Sequence, residues 1–235
     1  MKIERLEPSQ HKQGRWLVWL EDASVVRVGE GDVVSLGLYA GKELSDAQAE
    51  ALAAAGARSK LMERAVGLLA MRPMSRKELL DRLCAPPRPK KGKWPYERLD
   101  AADMPDQEAL RTQAEALREQ AEEVAVRLTE LGLLDDAEYA RMVVRHYAAK
   151  GFGVRKIRDE LYRRGVPREH WEQAMEEREP DEGQLLALAR QKLRGAEPTR
   201  EELKRVSSYL ARRGYGWEEI SSVLERLREE ADDLP

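Results

Sequence analysis

The chain has 235 residues and a formal net charge of −3 at pH 7, from 41 Lys and Arg against 44 Asp and Glu. This length allows one or two domains with hydrophobic cores, and no apolar run approaches the roughly 18 residues that a membrane-spanning helix needs. Because the start, MKIERLEPSQ, lacks an apolar signal segment and the single Cys84 cannot form an internal disulfide, we expect a cytoplasmic protein. We also expect a monomer, which is the default for the elongated repeat protein that the pattern below predicts.

The first 57 residues predict a small β-rich domain that ends with a short helix. Three segments with alternating or continuous apolar residues predict strands, at 2–6, 15–20 and 24–28. Segment 32–36 fits either a strand or a short helix. Ser45 begins a helix that we expect to end near Gly56, because glycine commonly terminates helices.

From residue 58 onward the pattern is helical and repetitive. A basic residue, Pro or Gly, a large apolar residue, and Ser or Gly follow one another at 72–75, 150–153 and 213–216. Apolar residues lie four and eight positions after each motif, namely Leu79 and Leu83, Ile157 and Leu161, and Ile220 and Leu224. Each motif therefore predicts a helix end, a corner, an N-cap and the buried stripe of the next helix.

These corners predict a mainly α fold of tandem three-helix repeats, forming an elongated, curved body behind the β-rich domain. We place the domains at 1–57, 58–134, 135–197 and 198–235, the last being a partial repeat. In the repeat at 135–197 we expect one third helix over 167–193, kinked at Pro180. Three Ser, Asp or Thr residues precede a Glu by three positions and predict N-caps, at Ser75, Asp135 and Thr199.

Residues 85–105 interrupt the repeat with several prolines and a basic cluster, which cannot continue a helix. One interpretation is a mobile linker inserted in the repeat at 58–134. The alternative is a contact with single-stranded DNA, in which bases stack on an aromatic ring between cations. The side chains that would make this contact are Lys90, Lys91, Lys93 and Trp94.

No catalytic, cofactor or metal site is recognisable. The chain has no phosphate-binding G-x-x-x-x-G-K-[ST] loop, no H-E-x-x-H and no G-x-S-x-G motif. Asp135 and Asp136 could suggest a metal pair, but their place at the start of a predicted helix favours capping. The sequence therefore predicts a protein that is not an enzyme.

The remaining signal is a basic helix surface, on the second helix of two repeats. The cations are Arg76, Lys77 and Arg82 in one repeat, and Arg155, Lys156, Arg158, Arg163 and Arg164 in the next. In the third repeat, Glu218 and Glu219 stand in the corresponding turn. This surface is either simply solvated or a contact for phosphates or an acidic protein groove.

The motifs resemble those of the RecX family of recombination regulators. The resemblance covers about residues 58–230. It rests on the corner at 72–75, on Leu131-Gly132-Leu133-Leu134-Asp135-Asp136 with Tyr139-Ala140, and on the stretch 151–166, and it is most specific in the last two. The N-terminal strands are similar to a β-rich extension that some members carry. The insertion at 85–105 departs from the family pattern.

The resemblance implies a non-enzymatic modulator of the RecA recombinase in homologous recombination and DNA repair. Family members bind the RecA–single-stranded DNA filament, lie in its helical groove, and limit filament growth, ATP hydrolysis and strand exchange; some also bind DNA. A first alternative is a duplex DNA-binding regulator, since a basic second helix can enter a major groove. The net charge of −3 and the acidic last repeat weigh against it. A second alternative is a scaffold that binds no nucleic acid.

Overall fold

The computed structural model describes residues 1–86, 107–178 and 182–232. Within these ranges the chain forms three strands, ten α-helices and a short 3-10 helix over Arg168–His170. It divides into two compact units, Met1–Arg72 with Leu79–Leu133, and Pro73–Glu78 with Leu134–Pro235. The elements are β1 (Ile3–Pro8), β2 (Arg15–Leu20), β3 (Val25–Gly29), α1 (Glu30–Ser35), α2 (Asp46–Met71), α3 (Arg76–Cys84), α4 (Gln107–Glu130), α5 (Asp136–Ala149), α6 (Val154–Arg163), α7 (Trp171–Glu176), α8 (Glu182–Leu193), α9 (Arg200–Arg212) and α10 (Trp217–Asp232).

The three predicted strands form an antiparallel sheet in the order β1-β2-β3. Ile3 pairs with Leu20, and Trp16 pairs with Val28. Alternate residues of β2, Val18 and Leu20, are buried together with Ile3 and Val28. The ambiguous segment after β3 is helical, because Asp32 accepts a hydrogen bond from the backbone N–H of Gly29 and so caps α1.

Helix α2 corrects the expected helix end at Gly56. The helix runs without a break from Asp46 to Met71, and Leu52 and Ala55 pack in the core of the sheet. A Cβ atom at position 56 would lie 2.5 Å from Cγ1 of Val26. Glycine is therefore present because α2 lies close to β3, and not because the helix ends there.

Apart from the sheet and α1, the described part of the first unit is built mainly from α2, α3 and α4. Helix α4 packs on α2, and both helices bury small or branched residues. The buried side chains include Leu61 and Ala65 of α2, Leu79 and Leu83 of α3, and Ala121, Val124 and Leu128 of α4. Helix α4 therefore follows the insertion at 85–105 and packs in the helical part of the first unit.

The second unit contains two three-helix groups with separate cores. One core joins α5, α6 and α7 around Val144, Ile157 and Leu161. The other joins α8, α9 and α10 around Ala189, Val206 and Leu210. Tandem three-helix repeats, as predicted from the corners, are therefore present.

The expected single helix over 167–193 is wrong. Helix α7 ends at Glu176 and α8 begins at Glu182. The apolar residues of α8 lie in the core shared with α9 and α10, so this helix belongs to the third group rather than closing the second. The domain limits 1–57 and 58–134 stay predictions. The limit between 135–197 and 198–235 falls after α8, and so separates this helix from the core that it shares with α9 and α10.

Candidate interaction surface

Helix α6 has one fully buried side and one exposed side. Ile157 and Leu161 are both 0% exposed in the core of their three-helix group. Arg155, Arg158 and Tyr162 lie on the other side, at the spacings of three and four residues that place side chains on one helix face. Because packing holds the buried side in place, these three side chains project from a fixed backbone.

The exposed side of α6 combines two arginines with an unburied aromatic ring. Tyr162 is 71% exposed. Arg158 makes one ion pair across to α7, with Nη2 3.0 Å from Oε1 of Glu172. Among the described residues, no carboxylate lies within ion-pairing distance of Arg155, which leaves its guanidinium available to a partner.

Two other predicted cations of α6, and Arg164 directly after the helix, share one buried carboxylate. Glu160 is 5% exposed; Arg163 donates to its Oε2 from Nε at 3.0 Å, and Lys156 Nζ lies 3.7 Å from its Oε1. Burial alone would raise the pKa of Glu160, but hydrogen bonds from Arg163 and Tyr147 hold that pKa below its ordinary value. The carboxylate therefore neutralises part of the charge that the sequence places on this surface.

Arg164 is a packing residue. Its Nη1 donates to the hydroxyl of Tyr139 at 2.8 Å and its Nη2 to the hydroxyl of Tyr147 at 3.4 Å. Its carbonyl oxygen accepts a hydrogen bond from the hydroxyl of Ser75. The charge pattern placed Arg164 on the same surface as Arg163. Its guanidinium is instead half-buried, although Nε lies 3.8 Å from Oε2 of Glu160, the carboxylate oxygen that Arg163 also contacts.

The predicted cations of α3 do not share one environment. The backbone N–H of Arg76 donates to Oδ1 of Asp136 at 2.8 Å, and the Arg76 side chain is half-buried. The exposed Lys77 runs past Gly165, at which an added Cβ would lie 2.6 Å from Cδ of the lysine. Arg82 belongs to the first unit, where its carbonyl accepts from Nη2 of Arg64 at 2.8 Å.

The predicted DNA contacts of the insertion, Lys90, Lys91, Lys93 and Trp94, lie outside the described residues. In the part of the chain that is described, no group of three His, Cys, Asp or Glu residues could hold a metal ion. None of the helices described is long and apolar enough to span a membrane.

The aspartate pair at the start of α5 has two separate structural roles. Asp135 is the N-cap of α5, and its carboxylate accepts from the backbone N–H of Glu138 at 2.9 Å. Asp136 instead accepts from the first backbone N–H of α3. Burial raises the pKa of Asp136 above its ordinary value, against the effect of that hydrogen bond. Capping was predicted for this pair, but the link to a second helix was not.

Sequence reasoning also missed Tyr162. The signal was available, because the buried stripe of α6 predicts that position 162 faces outward. A large aromatic side chain on the solvated side of a basic helix is the feature that interface hot spots favour.

Two profiles of one family match the three-helix groups of the second unit. The profile described as "RecX, second three-helix domain" matches residues 135–175, and "RecX, third three-helix domain" matches residues 181–224. The regulatory protein RecX of Escherichia coli strain SE11 is 31% identical over 170 residues, covering 70% of this chain and 90% of that protein. The chain belongs to the RecX family. RecX of Yersinia pseudotuberculosis serotype O:1b is 31% identical over 173 residues, covering 69% and 94%.

Solved RecX structures share the fold. A crystal structure of regulatory protein RecX superposes with a TM-score of 0.68 at 22% identity, covering 97% of this chain and 98% of that chain. RecX from Lactobacillus salivarius gives a TM-score of 0.54 at 17% identity, covering 73% and 96%.

The RecX domain limits also correct the alignment of the third corner. Corner 150–153 joins the first and second helices of its domain, whereas corner 213–216 joins the second and third helices of the domain at 181–224. The true counterpart of Arg213-Gly214 is Arg164-Gly165, which also follows a second helix. Gly165 and Gly214 both have positive φ, of 69° and 90°.

Proposed function

We propose that this RecX family member is a non-enzymatic regulator of the RecA recombinase. In this proposal it binds the RecA–single-stranded DNA filament as a monomer in the cytoplasm and limits filament extension, ATP hydrolysis and strand exchange. The relatives that it matches are named regulatory proteins. The observation that carries the proposal is the exposed side of α6, with Arg155, Arg158 and Tyr162 on a helix whose other side is fully buried.

This side of α6 has the chemistry of a binding surface. Arginine and tyrosine are enriched at interface hot spots, because each combines a large contact area with directed hydrogen bonds. Since packing already fixes the helix, binding costs little backbone ordering. A RecA–DNA filament offers both phosphates and protein side chains, so a mixed cationic and aromatic face suits it better than a purely charged one.

Other predicted cations act as secondary contacts in this proposal. Lys77, Lys156 and Arg163 are partly or fully exposed and lie in the same unit as α6. Arg76, Arg82 and the insertion residues add charge elsewhere along the chain. Several weak contacts on one chain combine as avidity along a filament of repeated subunits. Arg164 is left out, because its guanidinium is used within the fold.

The test is direct binding to immobilised RecA filaments on single-stranded DNA. The variant R155E/R158E reverses the two outward arginines, and R111E/R228E makes the same charge change at exposed arginines on α4 and α10. We expect R155E/R158E to bind roughly tenfold or more weakly, equivalent to about 1.4 kcal/mol, and the control to bind like the unchanged protein. Equal binding by all three proteins contradicts the proposal, whereas tight binding to bare duplex DNA favours the duplex DNA regulator.

A further inference from the structure

An open groove with a volume of about 460 Å³ runs along the solvated side of α9. The buried residues of this helix, Leu203, Val206 and Leu210, face the opposite way, into the core of the third three-helix group. The groove is lined by Lys192 of α8 and by Glu201, Lys204, Arg205, Ser208 and Arg212 of α9. This groove is therefore mainly basic, although the segment 171–235 has more acidic than basic residues.

The groove holds four cations and one carboxylate. Arg205 is partly neutralised, because its Nη1 lies 2.5 Å from Oε1 of Glu202. Lys192 Nζ stands 5.5 Å from the centre of the Tyr209 ring, a cation–π contact that leaves its charge in place. Lys204 and Arg212 are exposed, and neither has a carboxylate within ion-pairing distance in the described part of the chain.

The residues that line the groove favour a nucleic acid over an acidic protein as its partner. A protein partner needs apolar or aromatic contacts at the centre of its interface, and the six lining residues include no apolar side chain. A phosphodiester backbone needs a row of cations and hydroxyl donors, which the groove supplies. Lys204 and Arg212 are eight residues apart, or about 12 Å along the helix, so different phosphates of one strand can reach them. The hydroxyl of Ser208 lies between them.

We propose that this groove binds the phosphodiester backbone of a nucleic acid strand, with Lys204, Arg212 and Lys192 contacting phosphates and Ser208 donating a hydrogen bond. The contact is to the backbone, so it discriminates little between sequences. It requires no RecA, so it can stand or fall independently of the function proposed for α6.

The test is fluorescence anisotropy of a short labelled single-stranded DNA with the full chain, without RecA, between roughly 50 and 200 mM salt. K204E/R212E removes two phosphate contacts, and R111E/R228E makes the same charge change outside the groove. We expect K204E/R212E to weaken binding roughly tenfold or more at the low-salt end, and the plot of log K against log salt to become shallower by about 1.4. The control should change neither value. A duplex of the same sequence shows whether the site prefers a single or a double strand.

Two results would overturn this assignment. The first is no loss of DNA binding in K204E/R212E, or the same loss in the control, which would point to the overall charge. The second is unchanged DNA binding together with weaker binding to RecA filaments, which would make the groove a protein contact. Circular dichroism of each variant verifies that its fold is intact.

Discussion

Ser75 donates its hydroxyl hydrogen to the carbonyl oxygen of Arg164, 89 residues later in the chain. The same hydroxyl oxygen accepts the backbone N–H of Glu78 and so caps α3. One small side chain thus caps the start of α3 and donates a hydrogen bond to a carbonyl group at the end of α6. Helix ends leave backbone groups without partners within the helix, and buried ends need such bonds. Ser75 is 0% exposed.

The next repeat has an equivalent contact made by the backbone alone. The N–H of Gly153 donates to the carbonyl oxygen of Arg213 at 2.9 Å, and the N–H of Arg155 donates to that of Gly214 at 3.1 Å. In both cases the start of a second helix lies on the end of the second helix of the following repeat. The two bonds at Gly153 and Arg155 hold the start of α6 against the end of α9.

Gly153→Ala should destabilise the fold by about 1–3 kcal/mol. The φ of Gly153 is −78°, which alanine adopts without strain, so only space decides the outcome. An added Cβ would lie 2.3 Å from the carbonyl oxygen of Gly214, a backbone atom that cannot move aside easily. Urea unfolding measures the change. Gly67→Ala is the control, because nothing lies within 4 Å of its added Cβ and the substitution favours a helix. A stable Gly153→Ala variant would show that the contact is looser than described.

Ser75→Ala should lower the free energy of unfolding by about 2–3 kcal/mol, since it removes a cap and a buried hydrogen bond together. Ser45→Ala is the matched control. Ser45 caps α2 by accepting from the backbone N–H of Gln48, and that contact is exposed and local. Its loss should cost about 1 kcal/mol. Equal losses in chemical denaturation would mean that the bond to Arg164 contributes nothing.

Glu160→Gln should lose stability at neutral pH by about 1–2 kcal/mol, because Arg163, Arg164 and Lys156 lose their shared carboxylate. The folded protein holds the pKa of Glu160 below 4.5, so its contribution is present above that pH and disappears as the pH falls through the folded pKa. The stability of the two proteins should therefore converge in acid. Asp159→Asn, at an exposed neighbour, should show little difference at any pH. A difference for Glu160→Gln that persists in acid would assign the effect to packing.

Asp136→Asn should be at least as stable as the unchanged protein at neutral pH. The amide oxygen can still accept the N–H of Arg76, and the partly buried charge is gone. Asp136→Ala should lose about 1 kcal/mol, because that N–H is left without its acceptor. Burial raises the pKa of Asp136 above 3.8, so acid should stabilise the unchanged protein relative to Asp136→Asn as the pH falls through the folded pKa. Thermal unfolding at several pH values measures both effects. An asparagine variant as unstable as the alanine variant would show that the negative charge is required.

Local patterns in the sequence predict the strands, the caps at Ser75 and Thr199 and the apolar stripes of the helices, because each depends on neighbouring residues. Gly56 misled the prediction, since its cause is contact with a strand thirty residues earlier. The corner at 213–216 was matched to corners between first and second helices, although it lies between a second and a third helix. The mismatch arises because a basic residue followed by glycine ends first and second helices alike. Which groups share a core is a long-range property that a local motif does not contain.

The candidate surface was predictable only as a charged helix. Arg163 and Arg164 look alike in sequence, and both contact Glu160. Only Arg163 is largely exposed, whereas Arg164 is half-buried and bonded to two tyrosines. The cations of α9 were missed because the segment 171–235 has more acidic than basic residues. Net charge sums over all sides of a helix, so it does not show that one side is basic. Tyr162 could have been found from periodicity alone.

RecA's DNA-dependent ATP hydrolysis on single-stranded DNA, with this protein titrated from far below the RecA concentration, tests the central proposal most directly. A regulator that blocks filament extension should lower the hydrolysis rate at substoichiometric ratios, and R155E/R158E should require a higher concentration for the same effect. No change in rate at an equimolar ratio, with RecA from the same source, would contradict the proposed regulation of RecA.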